Sequence, residues 1–163
     1  MNFSSLKIVK KHLETPSSSY ITLKIPDKLI DTFKYSAGQY VTVAIKNKQG
    51  VTQKRCYSIC GPVEDRNHLS FCVKKIEGGM VSTYLVDKVK EGDELNISKP
   101  EGEFTLKKAK GLYKENSVFI SAGSGITPIK SIINKLIDKG VLITPLNLQF
   151  YNIYLHLHSN KKS

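Results

Sequence analysis

The sequence predicts a chain of two parts, an antiparallel β barrel or sandwich followed by a partial α/β domain. Up to Gly111, short stretches that alternate apolar and polar residues are separated by turn sequences, a spacing typical of an all-β domain. After Gly111, a short apolar run leads through a glycine-containing turn into an amphipathic helix, as in one βαβ unit of a doubly wound sheet. We therefore expect domains at residues 1–111 and 112–163.

Six strands and one short helix are predicted in the first part. The strands alternate in hydrophobicity with period two, and turns such as TPSS and NKQG separate them. They are LKIVKKHLE, SYITLKIP, QYVTVAIK, VTQKRCYSIC, LSFCVKKI and a strand inside VKEGDELNISKPEGEF. The helix follows Gly78 and Gly79, and Leu85, Val86 and Val89 share its apolar face.

The second part predicts one strand, one long helix and a further strand. The run SVFISAG is apolar on both faces, as in a parallel sheet. Thr127 is expected to cap the helix with Pro128 in its first turn, and Gly140 is expected to end it. One apolar stripe runs along this helix, formed by Ile129, Ile132, Ile133, Leu136 and Ile137. The segment VLITPLNLQFYNIYLHLH predicts the last strand.

Composition excludes several classes of protein. The chain has 163 residues, 40% of them hydrophobic, which is enough for a folded core. No stretch approaches the ~20 apolar residues of a membrane helix, and the N-terminus lacks the apolar core of a signal peptide, so we expect a cytoplasmic protein without membrane contact. The net charge of +11 is spread along the chain, which favours a solvated lysine-rich surface over a nucleic-acid site.

The cysteines and histidines do not predict a metal site. There are 3 cysteines without CxxC spacing, which argues against a zinc site or a disulfide framework. Cys56 and Cys60 would share one strand face; small buried thiols in a reducing compartment are favoured over a redox pair. His156 and His158 would also share a strand face, but no third ligand is evident, which favours a solvent-exposed tail.

Three motifs are candidates for ligand binding, each with a purely structural alternative. In RCYSIC, the guanidinium of Arg55 suits a phosphate and the ring of Tyr57 a flat heterocycle; the alternative is an ordinary surface strand. In EGGMVSTYL, two glycines and Ser82 precede a helix N-terminus, which suits a phosphate; the alternative is a capped turn. In SAGSGITP, Gly123 and Gly125 also precede a helix N-terminus, which suits a phosphate; the alternative is a tight strand-to-helix turn.

Taken in order, RxYS, GGxxS before a short helix, PxGEF, and AGSGITP after an apolar run resemble the ferredoxin–NADP reductase family of flavoproteins. The likeness is strongest to the NAD(P)H-dependent reductase components of multicomponent oxygenases, of the phenylacetyl-CoA oxygenase kind. It covers roughly residues 5–140. The resemblance implies a six-stranded antiparallel barrel that binds FAD, followed by a doubly wound domain that binds NAD(P)H.

The resemblance also implies roles for individual residues. Around the FAD pyrophosphate it places Arg55 and the GGMVS segment, whose contributing residues are Gly79, Met80, Val81 and Ser82. Beside the flavin it places Tyr57 and Ser58, with backbone contacts from Val73, Lys74 and Lys75. Along the nicotinamide nucleotide it places Gly123, Ser124 and Gly125, and close to the two reacting rings it places Thr127. Tyr57, Ser58 and Thr127 are thus the expected catalytic residues.

The C-terminal part departs from the family pattern. Only one βαβ unit is predicted where the family has several, and the segment after Gly140 loses the family motifs, including a cysteine–glycine motif beside the nicotinamide. CGP at residues 60–62 resembles that motif but directly follows RxYS, so we interpret it as a turn. An iron–sulfur domain would need four suitably spaced cysteines, whereas this sequence has 3, so no such domain is predicted within it. These departures lead to the hypothesis of a truncated or frameshifted reading frame of a longer reductase.

Three functions remain as hypotheses from the sequence. The first is an FAD-dependent oxidoreductase that passes electrons from NAD(P)H to an iron–sulfur or other acceptor, either a partner protein or a missing C-terminal domain. The second is an FAD-binding fragment without pyridine-nucleotide activity. The third is a basic barrel that binds single-stranded nucleic acid, which is disfavoured because stacking aromatics interleaved with lysine are not evident.

Overall fold

A computed structural model describes residues 2–47, 49–106, 119–121 and 123–140. Its first part is one antiparallel sheet of six strands in the order β4-β3-β6-β1-β2-β5. The strands are β1 (Phe3–Thr15), β2 (Ser18–Lys24), β3 (Tyr40–Lys46), β4 (Thr52–Ser58), β5 (His68–Lys74) and β6 (Glu94–Ser98). The prediction of six antiparallel strands is therefore confirmed.

The sheet curls until its two edge strands approach each other. Ile59, directly after β4, forms a single antiparallel bridge with Phe71 of β5, and the Cys60 N–H donates to the Ser70 carbonyl at 2.9 Å. We call these four residues the seam. Among the described residues no further bridge joins β4 to β5, so the barrel is closed at the seam and open on either side of it.

The core follows from the period-two pattern of the strands, because alternate residues point to one face of the sheet. This inner face carries residues that are fully or almost fully buried, and their apolar surface removed from water stabilises the fold. They include Leu6, Ile8, Ile21, Leu23, Val41, Val43, Leu69, Phe71, Val73, Leu95 and Ile97.

The predicted short helix is confirmed and lies against the open side of the sheet. Helix α1 (Met80–Thr83) continues as a π-helical turn over Tyr84–Lys88, and the predicted face of Leu85, Val86 and Val89 is buried. Lys11 Nζ donates to the carbonyls of Val86 and Val89 at 2.6 and 2.7 Å. These bonds satisfy carbonyl groups that a helix end leaves without intrahelical partners.

Helix α2 (Ile126–Asp138) confirms the predicted long helix but not its start. A 3₁₀ turn over Gly123–Gly125 precedes it, and Gly125 is the N-cap residue with φ −63° and ψ −16°. Since the backbone is already helical at Gly125, Thr127 lies inside the first turn and makes no side-chain cap. The prediction of Thr127 as the N-cap is therefore wrong.

The apolar stripe of α2 packs only in part, and its end is as predicted. Ile129 and Ile132 are buried, whereas Ile137 is 49% exposed. The N–H of Gly140 donates to the Ile137 carbonyl at 2.8 Å, and φ is +78° at this glycine. Gly140 thus closes the C-terminal end of the helix in the left-handed conformation that favours glycine.

Other predictions of the second part lie wholly or mostly outside the described residues. Of the predicted SVFISAG strand, the structure describes residues 119–121, which are not in a strand, and Gly123, which begins the 3₁₀ turn. The strand predicted after Gly140, with His156 and His158, lies outside the described residues, and the domain boundary near Gly111 stays a prediction. No described helix combines the length and the apolar character that crossing a membrane requires; the cytoplasmic location stays a prediction.

Candidate functional site

Strand β4 presents Arg55 and Tyr57 on one face, as predicted. They pair with Val43 and Val41 of β3, so all four side chains lie on the same side of the sheet. The Arg55 side chain is exposed, and its Nη1 donates to the neighbouring Lys54 carbonyl at 2.7 Å. This leaves most of the guanidinium donors directed at solvent, where an anionic ligand can reach them.

Tyr57 is held in place by an aromatic contact across the sheet edges. Its ring stacks on that of Phe71 in β5, with centroids 5.3 Å apart and planes inclined by 23°. Burial raises the pKa of the Tyr57 phenol to about 12, against the opposing charge of Arg55. The phenol therefore stays neutral near pH 7 and can donate a hydrogen bond. Ser58, half-buried opposite Tyr40, is the last residue of β4.

The end of β5 offers one set of unused backbone groups. Val73 is fully buried, and the Lys75 N–H donates to Ser17 O at 2.7 Å. Backbone groups of successive residues point to opposite edges of a strand. Since the N–H of Lys75 points to the edge beside β2, the N–H and carbonyl of Lys74 point to the other edge, which carries the seam. Of the three residues predicted to make backbone contacts, Lys74 is thus best placed, while the Lys75 ammonium pairs with Asp87 at 3.1 Å.

The glycine pair places the N-terminus of α1 next to β4. Gly78 has φ +68°, which favours glycine, and Gly79 is the N-cap residue. The first N–H groups of a helix have no intrahelical partner, which leaves those of Met80 and Val81 for a ligand. Helix α1 packs against β4, so these donors and the Arg55 guanidinium belong to the same region of the surface.

The hydroxyl of Ser82 makes two hydrogen bonds within the glycine turn. It donates to the Gly79 carbonyl at 3.2 Å and accepts from the Ile76 N–H at 3.1 Å. Ser82 is also buried. Its hydroxyl therefore closes the glycine turn from inside, and its direct bond to a phosphate stays a prediction.

The predicted nicotinamide segment forms the 3₁₀ turn before α2 and the start of that helix. Gly123 and Ser124 are exposed and Thr127 is half-buried at the start of α2. Further along α2, Lys135 pairs with Glu64 in the loop between β4 and β5. Within the described residues, no hydrogen bond or ion pair joins Thr127 to Tyr57 or Ser58. The predicted FAD residues thus lie on elements that pack together, and the position of the predicted nicotinamide residues relative to them stays a prediction.

Two residues near the site were not predicted from the sequence. Phe71 supports the Tyr57 ring, and Lys130 of α2 acts electrostatically on Cys72 in β5. The period-two pattern of LSFCVKK could have placed Phe71 in the core. Its contact with Tyr57 depends on the curl of the sheet, which the pattern does not specify.

The thiols only partly match the expectation of small buried cysteines. Cys60 is buried but Cys56 is exposed, with its Sγ 3.6 Å from Thr42 Oγ1. The expectation is wrong for Cys56 because β4 is an edge strand whose outer face is not covered along this stretch.

The described residues fit an extended, negatively charged ligand better than an enclosed one. A cavity of about 20 Å³ lined by residues such as Ile25, Phe33 and Val63 has room for about one water molecule and none for a flavin. An exposed guanidinium, helix N–H groups and a supported aromatic ring instead form an open surface. This is the donor set that a dinucleotide cofactor requires, with phosphates at one end and a flat heterocycle at the other.

Comparison with known proteins defines the class of the molecule. The family model of the oxidoreductase FAD-binding domain matches residues 5–106, which is more than half of the chain. The chain therefore belongs to the oxidoreductase FAD-binding domain family, whose cofactor is FAD and whose members are oxidoreductases.

Particular relatives agree with this family. The chain is 34% identical over 134 residues to a component of the 1,2-phenylacetyl-CoA epoxidase of Escherichia coli, covering 80% of this chain and 36% of that protein. Phthalate dioxygenase reductase superposes with a TM-score of 0.67 at 30% identity, covering 85% of this chain and 41% of that one. The flavohemoglobin of Malassezia yamatoensis with bound FAD and heme superposes with a TM-score of 0.71 at 25% identity, covering 85% and 35%. The chain thus spans about a third of the length of curated relatives such as the epoxidase component.

Proposed function

We propose that this chain is the FAD-holding part of a reductase that takes electrons from NAD(P)H and delivers them to an iron–sulfur acceptor. The observation that carries the FAD half of the proposal is the exposed guanidinium of Arg55 on the strand that packs against the N-terminus of α1. Two cationic or positively polarised donors on one surface suit a pyrophosphate.

Each FAD residue would act through its position. Arg55 would bind the pyrophosphate, together with the N–H groups of Met80 and Val81 at the start of α1. Tyr57 would lie along the flavin ring, because its own ring is fixed by Phe71 and cannot turn away. The neutral phenol of Tyr57 and the hydroxyl of Ser58 would donate or accept hydrogen bonds near the ribityl chain and the ring edge.

FAD, when bound, supplies the chemistry of accepting a hydride and releasing electrons singly. The protein residues would orient the ring and exclude water from one of its faces. Gly123, Ser124 and Gly125 would contact the pyridine nucleotide, and Thr127 would lie near its nicotinamide. This second half is supported by the solved phthalate dioxygenase reductase, described as a modular structure for electron transfer from pyridine nucleotides to [2Fe–2S].

A second candidate function is FAD binding without pyridine-nucleotide activity. Among the described residues no hydrogen bond or ion pair joins Thr127 to Tyr57 or Ser58, so no observed contact supports the nicotinamide half of the first candidate. A hydride can pass only between rings that are held in contact. The two candidates differ in one measurable property, the reduction of bound flavin by NADH or NADPH.

The test is to purify the protein, saturate it with FAD and record the visible absorbance of the flavin before and after anaerobic addition of NADH or NADPH. Bleaching by either nucleotide supports the first candidate, and a [2Fe–2S] ferredoxin is then offered as the acceptor. Bleaching by dithionite alone supports the second candidate. A protein that stays colourless after incubation with FAD would refute both.

A further inference from the structure

Two thiols meet at the seam of the barrel. The Sγ atoms of Cys60 and Cys72 are 3.7 Å apart. Each follows one member of the bridge pair, since Cys60 comes after Ile59 and Cys72 comes after Phe71. The two cysteines are therefore diagonal neighbours across the single described bridge between the two edges. The pair that the sequence suggested for comparison, Cys56 with Cys60, is not the pair that the fold brings together.

The two thiols of this pair are unequal. Cys60 is 4% exposed, and its hydrogen bond to Cys72 followed by burial raises the pKa of its thiol. The same hydrogen bond lowers the pKa of the Cys72 thiol; burial opposes the change and the ammonium of Lys130 adds to it. Cys72 is also the more accessible of the two. Thiolate character and access together define the reactive member of a dithiol, which here is Cys72.

We propose that Cys60 and Cys72 form a thiol–disulfide redox site that crosslinks the seam when a hydroperoxide oxidises it. The Cys72 thiolate attacks the terminal O–H oxygen of the peroxide, the O–O bond breaks, and Cys72 becomes a sulfenic acid; the other oxygen leaves as hydroxide from hydrogen peroxide, or as alkoxide from an organic hydroperoxide, and takes up a proton. The Cys60 thiol then attacks the Cys72 sulfur, so that the S–S bond forms, the S–O bond breaks and water leaves. Two electrons pass from the two sulfurs to the peroxide, and a dithiol reverses the reaction.

The seam can accommodate the crosslink. A disulfide has an S–S distance of about 2.0 Å, so the two sulfurs must approach each other by about 1.7 Å from their present separation of 3.7 Å. A continuous strand ladder would resist this movement. One bridge holds the edges together in the described part of the chain, so the approach of the two sulfurs would disturb a single pair instead of a whole ladder.

Oxidation at this place would tie the two edge strands that carry the proposed flavin residues. Tyr57 lies three residues before Cys60, and Phe71, on which its ring stacks, immediately precedes Cys72. The crosslink would therefore restrict the relative movement of β4 and β5. The thiol chemistry itself does not depend on FAD, so it can be tested without the cofactor.

The experiment uses the full 163-residue chain carrying Cys56→Ser, which removes the exposed thiol and leaves the pair. The reduced protein is treated with hydrogen peroxide, and the remaining thiols are blocked with N-ethylmaleimide before intact-mass and peptide analysis. We expect a monomer about 2 Da lighter that takes up no label, with one crosslinked peptide joining Cys60 to Cys72. Dithiothreitol should restore both thiols.

Matched double variants identify the attacking sulfur. In Cys56→Ser/Cys60→Ser, the Cys72 sulfenic acid has no resolving thiol, so dimedone should label it. In Cys56→Ser/Cys72→Ser, Cys60 should remain largely unlabelled by dimedone. Equal labelling of the two variants, or labelling of Cys60 alone, would contradict the assigned roles.

The proposal is overturned by disulfide-linked dimers without the internal crosslink, by sulfinic acid at Cys72 in place of the disulfide, or by two labelled thiols after peroxide treatment. If the Cys56→Ser protein does not fold, peptide mapping of the oxidised wild-type chain decides. A Cys60–Cys72 peptide supports the site, and pairing of Cys56 with either cysteine overturns it.

Discussion

Arg55→Ala is expected to weaken FAD binding while leaving the stability of the fold unchanged. The guanidinium is exposed and its Nη1 donates to the adjacent Lys54 carbonyl, and exposed side chains of this kind contribute within about 0.5 kcal/mol to the free energy of unfolding. A hydrogen bond from a charged group contributes about 1.5–3 kcal/mol. Loss of the proposed bond to a phosphate should therefore raise the Kd for FAD by about 10- to 160-fold.

The measurement is a titration of apoprotein with FAD, followed by the quenching of flavin fluorescence, with urea unfolding of the same samples. Lys54→Ala is the matched control, because it removes one positive charge from the next position of the same strand. The Lys54 ammonium lies 5.2 Å from the centroid of the Phe3 ring, and the side chain points to the opposite face from Arg55. We expect its Kd to change by less than about 3-fold, as for an exposed charge screened by salt.

Three outcomes would refute the reasoning. An unchanged Kd in Arg55→Ala would show that the guanidinium does not contact the cofactor. An equal rise in Arg55→Ala and Lys54→Ala would show that only net charge matters. A large fall in the free energy of unfolding of Arg55→Ala would show that the side chain stabilises the strand.

Three further predictions concern the glycines and the pH dependence. In Gly79→Ala the new Cβ would lie 2.6 Å from Ser82 Oγ; the turn must shift, so fluorescence titration should show FAD affinity falling by about 10-fold or more. Gly38 has φ +95°, and a Cβ there would lie 1.9 Å from the Phe104 carbonyl oxygen, so Gly38→Ala should lower the free energy of unfolding in urea by more than about 2 kcal/mol. Burial raises the Tyr57 pKa from 10.0 to about 12. The contribution of this shift to the free energy of unfolding is therefore present below pH 10 and lost as the pH rises toward 12. In urea unfolding, the free energy of unfolding of Tyr57→Phe should fall less steeply between about pH 10 and pH 12 than that of the wild type.

The strands were predictable because their information is local. Alternation with period two and the turn sequences between the strands determine where each strand starts and which face it buries. The start of α2 was not predictable in the same way. Thr127 and Pro128 are a normal pair for a helix start, but the 3₁₀ turn of Gly123–Gly125 places the backbone in a helical conformation before Thr127 is reached.

The candidate site was predictable in its residue types but not in its contacts. Arg55 and Tyr57 share a face because of strand periodicity alone. The stacking of Tyr57 on Phe71 and the proximity of Cys60 to Cys72 require the two edge strands to meet. That meeting depends on how far the whole sheet curls, a property that no single stretch of sequence contains.

The incomplete closure of the barrel accounts for the position of the candidate site. In a barrel with a continuous ladder, the outer edges of β4 and β5 would pair with each other and no backbone group would remain for a ligand. Here the described edges meet only at the seam, so the backbone of Lys74 stays free beside it. Helix α1 packs against β4 while the π turn that follows packs against β5, so this helical segment lies beside both edge strands. We therefore expect a change at the seam to affect the whole proposed FAD site, since Arg55 and Tyr57 lie on β4 and α1 with its π turn packs against β4 and β5.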